Sequence, residues 1–270
     1  MNSSFYNAVV IITGSTQGIG LETGIQLLKQ GAFVVFNGRR ENPGPVLQTL
    51  LQKHSSKACY IAADVGNASA VLNLVTAVIK QQGKIDIVIL NAGMSSQGYL
   101  HEHADGVIQN IINTNLFGAL WLSKYAVPAL QKTKGQILCI SSAAALCGIA
   151  EYSLYSATKK ALIGLAESLY SELFPMGIHV GVTIVGFTEN ETFKTALKPD
   201  GSLHPVPNRN AFKPMSRAAT ASCILQQLQG RRRIVVTGLS GKFAYAVSRW
   251  WPALYLRLLR RHYLKSKLKA

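Results

Sequence analysis

Tyr155 and Lys159 stand four residues apart in the run Tyr155-Ser156-Ala157-Thr158-Lys159, at the head of a segment with helical spacing. On a helix that interval puts phenol and ammonium on one face, one turn apart. A nearby cation favours the phenolate, drawing a group that ordinarily titrates near pH ~10 toward the range useful for proton transfer at neutral pH. Ser142 lies upstream at the end of an apolar run, with Ser141 beside it. Singly, each serine reads equally well as a strand-end turn residue.

A second group of residues has the chemistry of a phosphate cradle. Thr13-Gly14-Ser15-Thr16-Gln17-Gly18-Ile19-Gly20 joins an apolar run to a helical segment. Glycines at such a turn let backbone N–H groups approach a pyrophosphate, and the helix N-terminus favours its charge. The next apolar run ends Asn37-Gly38-Arg39-Arg40. A site for NAD usually has an acid here to hold the ribose 2′-hydroxyl; Gly38 and two guanidiniums instead suit a 2′-phosphate, with Arg39 as its clamp. NADP(H) is the expected cofactor. Asp64 and Val65 follow the third run, where they face an adenine, although Asp64 reads equally as a cap on the helix opening near Asn67.

These residues need a rigid frame. Runs at 8–13, 32–36, 58–63, 85–90, 135–141, 178–185 and 233–237 are apolar throughout and rich in Val and Ile, as strands covered on both faces are. Helical spacing fills 19–30, 68–82, 106–130 and 153–174. The alternation predicts an α/β, Rossmann-type doubly wound parallel sheet of about seven strands in a single domain. One proline-bearing stretch, 186–214, is expected to be an irregular substrate loop or lid.

Taken together, these motifs resemble the short-chain dehydrogenase/reductase family over about residues 6–237. TGSTQGIG resembles its TGxxxGxG turn, Asn91-Ala92-Gly93 its NAG element, and Asn115, Ser142, Tyr155 and Lys159 its catalytic tetrad. The resemblance implies that Tyr155 exchanges a proton with a carbonyl or alcohol oxygen. It implies that Ser142 hydrogen-bonds that oxygen, that Lys159 holds the nicotinamide ribose, and that Asn115 keeps a relay water. It also implies homo-oligomers built on the long helices. Three departures stand out: Gln17 stands where many NADP-dependent members carry a basic residue, leaving Arg39 as the main support for NADP(H), and Val185-Gly186 replaces the usual Pro-Gly, with Gly186 kept as a backbone contact to the cofactor. Asn190 takes the register of the usual cofactor threonine, with Thr188 and Thr192 nearby.

Charge is partitioned along the chain. The formal +16 arises almost wholly after Asp200, the last acid, where 14 of the 28 basic residues lie. A tract of this kind suggests a polyanionic partner. Residues 239–270 read as a basic amphipathic C-terminal extension to a catalytic domain at 1–238, with Pro252 opening a new helix. On a helical wheel Arg257, Arg260, Arg261 and Lys265 share one arc, and Tyr255, Leu256, Leu258, Leu259 and Tyr263 the other. With Trp250-Trp251, this pattern favours a membrane interface over packing on the enzyme itself or a second subunit, and both over nucleic acid, for which no recognition module exists. An apolar, lipid-like ketone or alcohol is the expected substrate, as in membrane-associated hydroxysteroid or keto-sphingoid reductases of that family. The alternative is a catalytically idle scaffold. Cys59, Cys139, Cys147 and Cys223 fall at no metal-ligand spacing and are expected to be reduced. Without a signal-peptide pattern or a spanning run, the expected location is cytoplasmic, at most peripheral to a membrane.

Overall fold

The computed structural model describes residues 5–189, 195–206 and 214–268. Its frame alternates strand and helix: β1 (Val9–Ile12), α1 (Gly18–Lys29), β2 (Phe33–Gly38), α2 (Pro45–Lys53), β3 (Ala58–Ala62), α3 (Ala68–Gln82) and β4 (Ile87–Leu90). There follow α4 (Asp105–Ile112), α5 (Gly118–Thr133), β5 (Gln136–Ser142), α6 (Ser153–Glu172) and β6 (His179–Val185). Two short strands, β7 (Thr195–Leu197) and β8 (Leu203–Pro205), precede α7 (Arg217–Gln229), β9 (Ile234–Val236), α8 (Leu239–Trp250) and α9 (Pro252–Lys267).

Seven strands form one parallel sheet in the order β3-β2-β1-β4-β5-β6-β9. Along β1 the side chains alternate between two cores. Val9 and Ile11 pack with α3, α5 and α6, whereas Val10 and Ile12 pack with α1, α2 and α7. Both faces of the sheet are therefore dry, which is why every strand run is apolar without alternation. This is the doubly wound α/β fold expected from the sequence.

The helical segment expected at 106–130 is interrupted: α4 passes into α5 through a π turn at Asn113–Phe117. Part of the stretch expected to be irregular is ordered as an antiparallel hairpin, β7 against β8, around a turn in which Asp200 accepts from Ser202 N at 2.8 Å. Strands of three residues are too short to give a period-2 signal, although the Asp200-Gly201 pair marks the turn. The hairpin docks on the segment after β4, Leu197 N donating to the Ser95 carbonyl and Gln97 N to the Leu197 carbonyl, each at 2.9 Å. Pro252 does open a helix, and α8 ends two residues before it.

Candidate active site

The order of strands reverses between β1 and β4, the position where open α/β sheets form their ligand crevice. The glycine turn leaves β1 there. Thr13, buried, organises it: its Oγ1 accepts from Asn91 N at 3.0 Å and Ala92 N at 3.1 Å. Asn91 returns two bonds from Nδ2, to the Thr13 carbonyl at 2.8 Å and the Gly14 carbonyl at 2.9 Å. A Cβ on Gly20 would lie 2.5 Å from that Nδ2, so helix and strand meet here only through glycine. Gly18, with φ of +64°, faces open space instead. The turn is thus open at Gly18, at the start of α1, and its residues fit a pyrophosphate.

Asn37 is a residue that sequence reading passed over. It is buried, donates from Nδ2 to the carbonyls of Ile61 and Ala63, each at 3.1 Å, and donates its N–H to Ser15 Oγ at 3.0 Å. Ser15 Oγ in turn donates to the Ile12 carbonyl at 2.7 Å. Asn37 Oδ1 also accepts from Gly14 N at 3.4 Å, so main chain and side chain of one residue tie β2, β3 and the glycine turn together. Its polarity within an otherwise apolar strand was the available signal. Next along the chain, a Cβ on Gly38 would come within 2.7 Å of Thr16 Cγ2, so a larger residue there would have to displace the Thr16 side chain. Arg39 and Arg40 are exposed just beyond it. Gln17, exposed, precedes α1; Ile19 packs partly into the core beneath.

Asp64 does not cap α3. Asn67 does, its side chain accepting from Ala70 N at 3.0 Å, while Asp64 closes a tight turn by accepting from Gly66 N at 2.9 Å. Asp64 is exposed and Val65 buried, the latter seated against Gly118. Gly186 N donates to Thr237 Oγ1 at 3.0 Å. Thr188 Oγ1 lies 3.2 Å from Thr220 Oγ1. Asn190 and Thr192 are outside the described residues.

The remaining residues converge where β4, β5 and α6 meet. Tyr155 is half-buried in the first turn of α6, and its ring centroid is 5.9 Å from Lys159 Nζ. Lys159 is 4% exposed, so its ammonium needs partners inside the protein; one is the Ile140 carbonyl at 2.9 Å. Ser141 and Ser142 divide their tasks. Ser141 Oγ donates to the Lys159 main-chain carbonyl at 2.7 Å, fastening α6 to β5. Ser142, at the strand end, is only partly covered, and its Oγ accepts from Ala144 N at 3.2 Å. Asn115 sits inside the π turn, where Oδ1 accepts from Met94 N at 2.8 Å and Nδ2 donates to the Met94 carbonyl at 2.9 Å and to Thr158 Oγ1 at 3.0 Å. Gly93 leaves the gap in which they meet: a Cβ there would be 3.1 Å from Lys159 Nζ and 3.4 Å from Asn115 Oδ1.

Above this centre lies a second network. Glu151, at φ of +65°, takes Lys267 Nζ at 2.6 Å and Tyr263 Oη at 3.3 Å on Oε1, and Gln97 Nε2 at 3.3 Å on Oε2. Tyr263 Oη also lies 2.8 Å from Tyr99 Oη, and Gln97 Oε1 lies 3.2 Å from His204 Nε2. The loop before α6, the segment after β4, the β7–β8 hairpin and α9 are thereby joined. The Lys267 hydrogen bond is the main reason the Glu151 carboxyl is held below its ordinary range, against the opposing effect of burial. Of the cysteines, buried Cys139 is pushed up to about 12 and Cys59 to about 11 by desolvation, so neither is a thiolate at neutral pH.

A doubly wound sheet with a glycine cradle at its switch point, beside a partly covered serine, tyrosine and buried lysine, defines a dinucleotide-dependent oxidoreductase. The family model for short chain dehydrogenases matches residues 8–200, and the chain belongs to that family. Among relatives, the zebrafish (Danio rerio) "Dehydrogenase/reductase SDR family member 7B" is 28% identical, over 93% of this chain and 84% of its own. The "11-beta-hydroxysteroid dehydrogenase-like 4A" of Arabidopsis thaliana is 34% identical over 67% of this chain and 61% of its own. A short-chain dehydrogenase structure from Streptomyces avermitilis shares the fold with a TM-score of 0.80 at 21% identity, covering 97% of this chain and 99% of that one.

Proposed function

We propose that this chain is an NADP(H)-dependent oxidoreductase interconverting a ketone and a secondary alcohol on an apolar substrate. The observation that carries this reading is the pairing of half-buried Tyr155 with the almost fully buried Lys159 ammonium, with the partly covered Ser142 hydroxyl at the end of β5. Bound in the glycine cradle, NADP(H) would supply or accept the hydride. A carbonyl oxygen set between Tyr155 Oη and Ser142 Oγ receives its proton from the tyrosine, while the serine hydroxyl stabilises the charge that develops on it. In the reverse direction Tyr155 removes the alcohol proton.

Lys159 keeps positive charge beside the phenol and would hold the nicotinamide ribose. The Asn115 side chain is engaged with Met94 and Thr158, so any relay water would be held by a main-chain carbonyl of the π turn. The cofactor contacts in this reading are Gly14 to Gly20, Arg39 at a 2′-phosphate, Asp64 and Val65 at the adenine, Asn91 to Gly93, Tyr155, Lys159 and the Gly186 backbone. The catalytic unit comprises residues 1–238, with 186–214 as its substrate loop and 239–270 as an extension to it. NADPH oxidation across a panel of apolar ketones, with NADH as control, tests the assignment. Tyr155→Phe is expected to lower turnover at least ~100-fold with NADPH binding retained; substantial turnover by this variant would refute it.

A further inference from the structure

Between α9 and the loop that precedes α6 runs an open groove of about 670 Å³, within the ~300–1,000 Å³ of small-molecule clefts. Its apolar lining is Ile149 and Ala150 on one side and Leu256, Leu259 and Tyr263 on the other; Arg257, Arg260 and His262 also line it, and among the described residues no acidic side chain does. The nearest acid in sequence to its loop wall, Glu151, is engaged with Lys267. The groove abuts the catalytic helix, for Ile149 N donates to Ser156 Oγ at 3.3 Å, one residue from Tyr155. Among the described side chains of α9, Tyr255, Leu259 and Tyr263 are the half-buried ones, at intervals of four, so the helix is seated by one stripe. Arg257 and Arg260, one turn or less from Leu256 and Leu259, remain exposed beside it.

We propose that this groove binds a single-chain amphiphile with an anionic head: the chain lies along Ile149, Leu256, Leu259 and Tyr263, and the head pairs with Arg257 and Arg260. Apolar surface and two forked guanidiniums on one wall match that ligand and no neutral or cationic one equally well. The inference rests on the reductase reading in one respect only, that the groove would then hold the distal part of the substrate. It narrows an apolar ketone to one carrying a carboxylate or phosphate.

Calorimetric titration of the full chain with dodecyl phosphate, dodecanol and dodecyltrimethylammonium, all as monomers, tests it without turnover. Dodecyl phosphate is expected to bind at least tenfold more tightly than the other two. Arg257→Ala/Arg260→Ala should lose most of that preference while leaving dodecanol affinity within about twofold, and Leu256→Asp should weaken all three. Equal binding of the three amphiphiles, or an unchanged phosphate affinity in the double arginine variant, would overturn the proposal. So would a variant that loses only its attachment to anionic vesicles. Ketone reduction without dodecyl phosphate binding refutes the groove alone; binding without reduction refutes the reductase reading alone.

Discussion

Arg39 and Asn37 are two residues apart and answer different questions. Arg39 is exposed just past the end of β2, while glycine at position 38 lies close to the Thr16 methyl and Tyr60 hydroxyl. A guanidinium on a phosphate is worth about 1.5–3 kcal/mol, so Arg39→Ala should raise KM for NADPH roughly 10- to 100-fold and leave NADH unaffected. Steady-state kinetics with both cofactors check this, and a parent enzyme that uses NADH equally well would remove the argument for a phosphate clamp. Asn37, by contrast, acts on the fold. Its replacement by Ala strips partners from the Ile61 and Ala63 carbonyls and from Gly14 N, and should destabilise the protein by about 2–3 kcal/mol. A lowered urea midpoint at constant slope would register the loss.

At the scale of elements, Glu151 joins parts of the chain that are far apart in sequence. Its left-handed backbone costs about 1–2 kcal/mol for a residue other than glycine, and its side chain is held from three directions. Because the folded carboxyl titrates below its ordinary 4.5, its contribution to docking α9 is complete above that value and is lost as pH falls through the folded pKa. Lys267 is raised above its ordinary 10.5 by the same hydrogen bond, so its contribution is complete below that value and disappears as pH rises through the folded pKa. Hydrogen exchange of the α9 amides, expressed relative to the intrinsic rate at each pH, should therefore be slowest between these limits. Glu151→Gln should speed it at neutral pH, and exchange in that variant indistinguishable from the parent would show that α9 is seated by its apolar stripe alone.

The same contrast explains what could be read in the sequence. The seven strands were legible because two dry faces demand unbroken apolar runs, and the glycine turn and the Tyr155–Lys159 pair because their residues are close in sequence, whereas Ser142 could be picked out only through the family resemblance. The π turn at Asn115, the hairpin at Thr195–Leu197 and Leu203–Pro205, and the Glu151–Lys267 pair were not. They arise from contacts between distant segments, to which helical and strand periodicity is blind.

For the molecule as a whole, the charge partition sets a choice between two uses of the extension. A nearly neutral frame carries a basic tract that begins after Asp200. Among the described residues, no helix is long and apolar enough to cross a membrane. The wheel arc that pointed to an interface is divided in the structure: Tyr255, Leu259 and Tyr263 face the protein, while Leu256 and Leu258 are exposed. Trp250 and Trp251, 73% and 60% exposed, add to the outward apolar surface, with Arg249, Arg257, Arg260, Arg261 and Lys265 around it. A docked helix can therefore still offer lipid both aromatic side chains and charge. Each basic side chain near an anionic surface contributes roughly 1 kcal/mol, and salt screens that attraction within a Debye length of about 8–10 Å. The full chain should thus sediment with phosphatidylserine-containing vesicles at low ionic strength and be released as salt is raised. A chain lacking 240–270 should stay in the supernatant, and the fluorescence of Trp250 and Trp251 should shift to the blue on binding. If sedimentation were unchanged by the truncation, the vesicle contact would have to be sought on the catalytic unit.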